Sequence, residues 1–414
     1  MAFDSATLVP VYPEIFLMTA ACLVLVVDVF LSERNRLVTY GLALFSLLVT
    51  LWLVSATGGA SQTVLEGAYV RDPMGDLLKA ALLLVSLGAF VYAKDYLRAQ
   101  GMLRGEYYVL GLFAVLGMMI MISANNFLVV YLGLELLALC LYALVAFNRD
   151  SQQGAEAAMK YFVLGAIASG MLLYGISMLY GATGALDFQS IAAALSAPES
   201  NRTVLVFGLV FVVIGIGFKF GAVPFHMWVP DIYHGAPTVV TLFLGSAPKI
   251  AAFALAMRVL VEGLGGLHAD WQGMLVILAV LSLALGNLIA IAQDNIKRML
   301  AYSTISHVGF IFLGLLAGTP EGYTAAMFYA IVYAFMAAGG FGILAMLSRE
   351  GFDAERLHDL KGLNERSPWL AGMMLLVMFS MAGVPPTVGF FAKLFVLDAV
   401  VSVDMVWLAL VGVF

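Results

Sequence analysis

Apolar residues in this chain come in long unbroken runs, not at the alternate or three-and-four spacings that leave one wet face. A helix crossing a bilayer needs about 20 mainly apolar residues. Twelve such stretches can be marked, near 10–31, 37–56, 75–93, 107–123, 126–147, 158–181, 203–227, 238–260, 272–292, 299–317, 322–347 and 369–410. The last is too long for one crossing, and "GVPPTVG" interrupts its middle. The run at 203–227 is interrupted too. After "VLVFGLVFVVIGI", the segment "GFKFGAVPFHMWVPDIYHGAP" (217–237) brings a lysine, two histidines, an aspartate and three prolines within one membrane's width. The pattern predicts an all-α, polytopic membrane bundle with broken helices.

Composition agrees. Of 414 residues, 63% are hydrophobic and 11% charged, whereas soluble domains carry about a quarter charged residues to cover a wet surface. The net charge of −6 says little about partners, because the charges are split between loops and interior. Cys22 and Cys140 both lie in apolar runs and read as small buried hydrophobes. The N-terminus has no basic n-region, so the first run reads as a retained helix and not a cleaved signal peptide. The chain reaches residue 414 within apolar sequence, "VWLALVGVF".

Basic residues segregate between alternate loops. Arg34, Arg36, Lys94, Arg98, Arg104, Arg149, Lys297, Arg298, Arg349, Arg356, Lys361 and Arg366 fall on one side, and Arg71, Arg202 and Arg258 on the other. The positive-inside rule makes the richer side cytoplasmic and turns the N-terminus outward. The remaining basic residues, Lys79, Lys160, Lys219, Lys249 and Lys393, lie inside the marked spans, and all are lysine. Arginine keeps its proton under almost any condition, whereas a desolvated lysine can exchange one.

"AAMKYFVLGAIASG" from Ala157 and "AAMFYAIVYAFMAAGG" from Ala325 are similar at an offset of 168. At neighbouring offsets Glu135 pairs with His307 and Lys219 with Lys393, each lysine near a proline break at Pro224 or Pro385–Pro386. This predicts an N-terminal three-helix segment (1–106) and two five-helix repeats (107–262 and 263–414). Five crossings is an odd number, so the second repeat is inverted, and interrupted helices in such repeats hold ion sites at mid-membrane.

Glu135 sits about midway along its span, where a carboxylate is expensive and needs a cation. Lys219 is the expected partner, as a switchable pair or as a static pin between two helices. Pro224 removes a backbone donor and frees carbonyls near Phe220, which must then be met by protein or water. His226 suits a proton relay or caps the break. Lys249, just after Pro248, has no acidic neighbour in sequence and is expected to rely on water. His307 has hydroxyl neighbours Ser303, Thr304 and Ser306, and Lys393 closes the series. Lys160 is a relay or snorkels to the interface. Lys79 pairs with Asp76 one turn away. "GIGFKFG" echoes a dinucleotide fingerprint, but it lies inside a span and binds no cofactor. No spacing suggests a metal, haem or iron–sulfur site, and no P-loop is present, so any uphill transport must draw on energy from elsewhere.

"GFKFGAVPFHMWVPDIYHGAPT", "SAPKIAAF", "MLAYSTISHVGF" and "PPTVGFFAKLFV" together closely resemble the N-subunit family of respiratory complex I, the bacterial NADH:quinone oxidoreductase. The resemblance covers essentially the whole chain. The wider family includes sister antiporter-like subunits and the large subunits of multisubunit sodium/proton antiporters. "APKIAAF" and "PFHMWVPDIYHGAPT" favour subunit N. The resemblance implies proton translocation through Glu135, Lys219, Lys249 and Lys393, with the histidines, His226 and His307, between them as relays. Protons would enter from the cytoplasm near Glu135 and leave near Lys393. It implies a fold of fourteen helices, two or so beyond those marked. The partners would be the other membrane-arm subunits and the lipid of the bacterial inner membrane, with no nucleic acid. NADH, flavin, iron–sulfur clusters and quinone would belong to partner subunits. A sodium/proton antiporter subunit is the alternative. It would be expected to need a second midplane carboxylate, and none is visible. A purely structural scaffold is a third reading.

Overall fold

With no water in hydrocarbon to bond a free N–H or C=O, apolar runs of this length must close their hydrogen bonds as helices. The computed structural model describes residues 5–32, 35–59, 61–196 and 201–414, with side chains from Leu8 onward; Arg34 of the basic set lies outside the described residues. The chain forms α1 (Tyr12–Phe30), α2 (Arg36–Ala56), a hairpin of β1 (Gln62–Val64) and β2 (Tyr69–Arg71), α3 (Pro73–Ala99), α4 (Glu106–Ser123), α5 (Phe127–Val145) and α6 (Gln152–Thr183). There follow α7 (Phe188–Leu195), α8 (Arg202–Phe220), α9 (Trp228–Gly235), α10 (Thr238–Ala256), which continues as a π-helical turn (Met257–Gly263), α11 (His268–Ile291), α12 (Ile296–Leu316) and α13 (Pro320–Leu347). The chain closes with α14 (Leu363–Arg366), α15 (Pro368–Ala382), α16 (Val388–Ser402) and α17 (Val406–Val413).

Among the described residues, 11 helices are long and apolar enough to span a membrane. The apolar stretch at 369–410 is not a span but three helices. α15 and α16 have 15 residues each, about 22 Å at 1.5 Å per residue, so only together do they cross hydrocarbon about 30 Å thick. The hairpin and α7 had no sequence signal of span length. The hairpin is antiparallel, with Gln62 opposite Arg71 and Val64 opposite Tyr69. α7 tucks Phe188 and Ile191 inward at the same end of the bundle.

Polar residues mark where helices start. Asp72, Asn126, Ser151, Asn201, Asn295 and Thr319 each accept a backbone N–H from the first turn of the helix that follows. α10 is buried on nearly every side, against α3, α4 and α13. α1, α6 and α11 turn wide apolar faces outward, including Phe30, Val29, Phe162 and Leu288. Such faces suit lipid or neighbouring apolar helices. Cys22 is exposed on α1, contrary to the expectation of burial; Cys140 is buried, and both are free.

The repeat is visible in matching devices. Asn126 bridges Asp187, and Asn295 bridges Arg356, each asparagine also capping a helix. A Cβ on Gly117 of α4 would lie 2.8 Å from the Leu137 nitrogen, and one on Gly286 of α11 would lie 2.7 Å from the Ser306 nitrogen. These pairs share one offset, 169, so α4–α5 and α11–α12 cross at equivalent glycines. In that register Glu135 matches Thr304, not His307. The breaks match as well: α8 ends at Gly221 (φ 77) and α15 at Gly383 (φ 83), both left-handed, with the next residue's N–H reaching back over the last turn. Lys219 therefore matches Met381, because it precedes its break while Lys393 follows the other. Five crossings, from α4 through the α8–α9 pair to α10, separate corresponding helices, so the second repeat runs inverted.

Two ion clusters hold the hairpin end. Lys79 is buried and contacts Glu14 of α1 at 2.5 Å and the Tyr69 hydroxyl at 2.8 Å. Asp76, its expected partner, instead takes Arg71 at 3.1 Å. Arg258 lies not in a loop but buried in the π-helical turn, bound to Asp72 and Glu262. Glu14 and Asp72 are far from Lys79 and Arg258 in sequence, so proximity does not reveal them, whereas Glu262 is Arg258's own neighbour four residues on.

Candidate functional site: the two helix breaks and the polar row between them

The first break strands the last carbonyls of α8, and three of them find partners. Gly217 O accepts the Ala222 N–H, and Phe218 O accepts the Trp228 indole N–H at 3.0 Å. Phe220 O accepts Lys249 Nζ from α10 at 2.7 Å. The Val223 N–H, on the way to the cis Val223–Pro224 peptide, donates to Ser282 Oγ at 2.9 Å. Lys249 is 2% exposed, and its ammonium stands 5.4 Å from the Trp228 ring centre. No carboxylate is needed: the partial negative charge at a helix C-terminus and the face of an indole both favour a cation. One of the three ammonium donors of Lys249, expected to rely on water, is met instead by the carbonyl the break sets free.

The second break repeats this arrangement. Lys393 Nζ donates to Ala382 O, the last residue before Gly383, at 3.1 Å, and lies 4.9 Å from the Phe310 ring centre. Pro385–Pro386, joined by a cis peptide, follow as Pro224 does. Lys249 and Lys393 are thus geometric counterparts, although one comes from a neighbouring helix and the other from its own broken helix.

Between them runs a row of contacts in which the Tyr233 hydroxyl makes no hydrogen bond among the described residues. Trp228 faces Tyr233 with ring centres 6.4 Å apart, and the buried Tyr233 hydroxyl lies beside Thr304 and Tyr333. Tyr333 donates to Thr304 Oγ1 at 2.7 Å, and its ring is 4.9 Å from the His307 ring. His307 Nδ1 is 2.7 Å from the Tyr329 hydroxyl. Tyr329 stacks on Phe310 at 5.5 Å, which brings the row to Lys393. Of the hydroxyls expected around His307, only Thr304 belongs to this row, and it enters through Tyr333.

At the other end, Glu135 of α5 accepts a hydrogen bond from Ser169 of α6. The expected ion pair with Lys219 is not closed. Lys219 is partly buried on α8 with Glu135 as its nearby opposite charge, and among the described residues no ion pair joins them. With Ser169 and Tyr142, Lys219 lines a cavity of about 10 Å³, room for about one water. The serine hydroxyl competes with Lys219 for the carboxylate. Ser169→Ala should therefore close the Glu135–Lys219 pair, a shift of well under about 1 kcal/mol, read as a direct carboxylate–ammonium contact in a structure of the variant.

Two residues expected in the row stand apart from it. His226 lies in the loop at the break, with Nδ1 unpartnered. Lys160, with its side chain 44% exposed, binds Glu156 at 2.9 Å and Asp231 at 2.8 Å at the basic end. Sequence reasoning missed Ser169, Trp228, Tyr233, Tyr329 and Tyr333. A signal existed for the last two: "FYAIVYAF" sets tyrosines four apart on one helix face. Among the described residues no group of three or more His, Cys, Asp or Glu could hold a metal ion.

The comparisons with known proteins fit this geometry. Residues 124–414 match the family described as NADH:quinone oxidoreductase/Mrp antiporter, TM. NADH-quinone oxidoreductase subunit N of Thioalkalivibrio sulfidiphilus is 60% identical over 415 residues, covering 100% of this chain and 86% of that protein. The same subunit of Thiobacillus denitrificans is 58% identical, covering 98% and 84%. Among solved structures, a chain of respiratory complex I from Thermus thermophilus with bound aureothin is 32% identical, covers 97% of this chain and 86% of that one, and has a TM-score of 0.81. A chain of the Mrp complex from Dietzia sp. is 25% identical, covers 98% and 76%, and has a TM-score of 0.84. Backbone likeness does not separate the two complexes; sequence identity does. The chain belongs to the NADH:quinone oxidoreductase/Mrp antiporter transmembrane family, among its NADH-quinone oxidoreductase subunit N members.

Proposed function

We propose that this chain is a proton-translocating membrane subunit of a bacterial inner-membrane NADH:quinone oxidoreductase, seated among the other membrane-arm subunits with its basic end in the cytoplasm and its N-terminus outside. NADH, flavin, iron–sulfur clusters and quinone belong to the partner subunits, whose redox chemistry supplies the energy. The observation that carries the reading is the pair of lysines, Lys249 buried and Lys393 partly exposed, each held by a helix-terminal carbonyl and an aromatic face and, among the described residues, by no carboxylate. A neutral acceptor lets the proton leave without stranding an opposite charge, which a closed ion pair would do. Glu135 and Lys219 form the charge-sensing end. As Glu135 moves between Ser169 and Lys219, the cation felt by Lys249 changes strength, and the disturbance passes along the row to His307 and Lys393. His226 and Lys160 are not steps in this route.

The sodium/proton antiporter reading has the Mrp fold likeness in its favour. The two separate in one assay. In reconstituted vesicles, NADH-driven proton uptake should be the same with and without sodium. Glu135→Gln should lower it about tenfold, a barrier change of ~1.4 kcal/mol. Uptake that requires sodium would overturn the proton reading in favour of the antiporter.

A further inference from the structure

The eight-residue helix α9 has two working faces. Inward, it carries Trp228 and Tyr233, two links of the polar row. Outward, it carries Asp231 and His234. Asp231 Oδ2 takes Lys160 of α6 at 2.8 Å, and Asp231 Oδ1 takes Arg298 of α12 at 2.8 Å. His234 lies 3.7 Å from Glu355, whose other oxygen binds Lys297 at 2.9 Å, and contacts Gln153 at 3.0 Å. α9 has loops at both ends and no continuous helix to orient it, so side-chain contacts must. The same two neighbours on α6 hold both faces, Lys160 the aspartate and Tyr161 the Trp228 ring, stacked at 4.9 Å. Behind α9, Gly235 lies so close to α6 that a Cβ there would come 2.6 Å from the Ala157 Cβ and 2.9 Å from the Gln153 carbonyl.

We infer that Asp231 is a positioning residue: by tying α9 to α6 and α12 at once, it fixes the Trp228 platform under Lys249 and keeps Tyr233 in register with Thr304 and Tyr333. Asp231 touches neither lysine of the row and acts only through the helix it anchors. Its two partners are independent, so losing one leaves the other in place. The inference rests on the proton-translocation reading above.

The test uses the assembled oxidoreductase in vesicles, with two readouts: NADH-driven proton uptake, and hydrogen exchange of the amides of α9. Asp231→Asn should raise exchange in α9 and lower proton uptake, each about threefold to tenfold. Asp231→Glu should restore both. Lys160→Ala and Arg298→Ala should each do less than the asparagine variant, and together they should equal it. Gly235→Ala, which leaves every charge in place and displaces α9, should lower uptake in the same range. Lost uptake with unchanged exchange, or a pumping-competent Gly235→Ala whose α9 exchange is raised, would overturn the positioning role. Raised exchange with intact uptake in Asp231→Asn would instead strike the reading that Trp228 and Lys249 lie on the proton route.

Discussion

Lys249→Ala is expected to abolish most NADH-driven proton uptake, about tenfold or more, a barrier change of at least ~1.4 kcal/mol, while the complex still assembles. Truncation removes the only donor to the Phe220 carbonyl among the described residues, at a site 2% exposed. An unpaired buried carbonyl costs about 1–3 kcal/mol. That penalty is local and falls on the break, where a water can replace the ammonium as donor. On the proposed proton-translocating role, a water at the break does not substitute for the lysine as proton carrier. Lys249→Arg is expected to be equally poor for a different reason. It retains the charge and can reach the carbonyl, but a guanidinium does not release its proton. Its extra volume beneath Trp228 adds about 1–3 kcal/mol of crowding. Initial rates of proton uptake at matched levels of assembled complex check both. A normally pumping arginine variant would refute proton release at Lys249. A purely structural scaffold predicts the opposite pattern for Lys249→Ala, lost stability with transport intact.

The second large effect is on stability. Arg258→Met should destabilise the hairpin end of the bundle by about 2–3 kcal/mol, somewhat below the usual cost of breaking a buried pair because its carboxylates are partly exposed. Arg258 is 1% exposed, yet it ties three elements together: Nε donates to Ile122 O at the end of α4, Nη1 and Nη2 to Asp72 at the start of α3, and Nη1 also to Glu262 in its own turn. Methionine fills the volume and leaves Asp72 and Glu262 without their cation. The pH dependence follows from Asp72. Burial would raise its carboxyl, but the Arg258 hydrogen bonds and charge outweigh burial and hold it below its ordinary value. A depressed carboxylate stabilises the fold fully above its unfolded pKa of about 3.9, and that stabilisation is lost as pH falls through the lower native value. Thermal unfolding of the purified complex should therefore show acid sensitivity in the parent that is reduced in Arg258→Met. An unchanged melting temperature in the variant would mean that the cluster contributes nothing.

Much of the site was legible in the residues because hydrocarbon punishes irregularity. Lys219, Lys249 and Lys393 stand out where apolar residues are the rule, and Pro224 and Pro385–Pro386 mark breaks that the helices respect. The carbonyl at Phe220 was foreseeable as an orphan; that Lys249 would claim it was not, since the two are joined only by the packing of α10 against the end of α8. The aromatic links were harder still. A tyrosine or tryptophan in an apolar run carries no charge to betray it, and His307 found its partner on α13, not among its own neighbours on α12.

Internal similarity near Ala157 and Ala325 was enough to reveal a repeat, but not its register, because the two units differ by insertions that only matched caps and crossings expose. The chain alone determined that it lives in a membrane as helices, that two of those helices are broken, and that lysines sit where lipid forbids charge. Composition and run length suffice for these, since the cost of exposing backbone or ammonium to hydrocarbon does not depend on what lies nearby. Partnership is different. Which carbonyl meets which ammonium, why Glu135 turns to Ser169, and how α9 joins surface ion pairs to the interior depend on distances of a few ångströms between segments far apart in sequence. Only the packed bundle sets those.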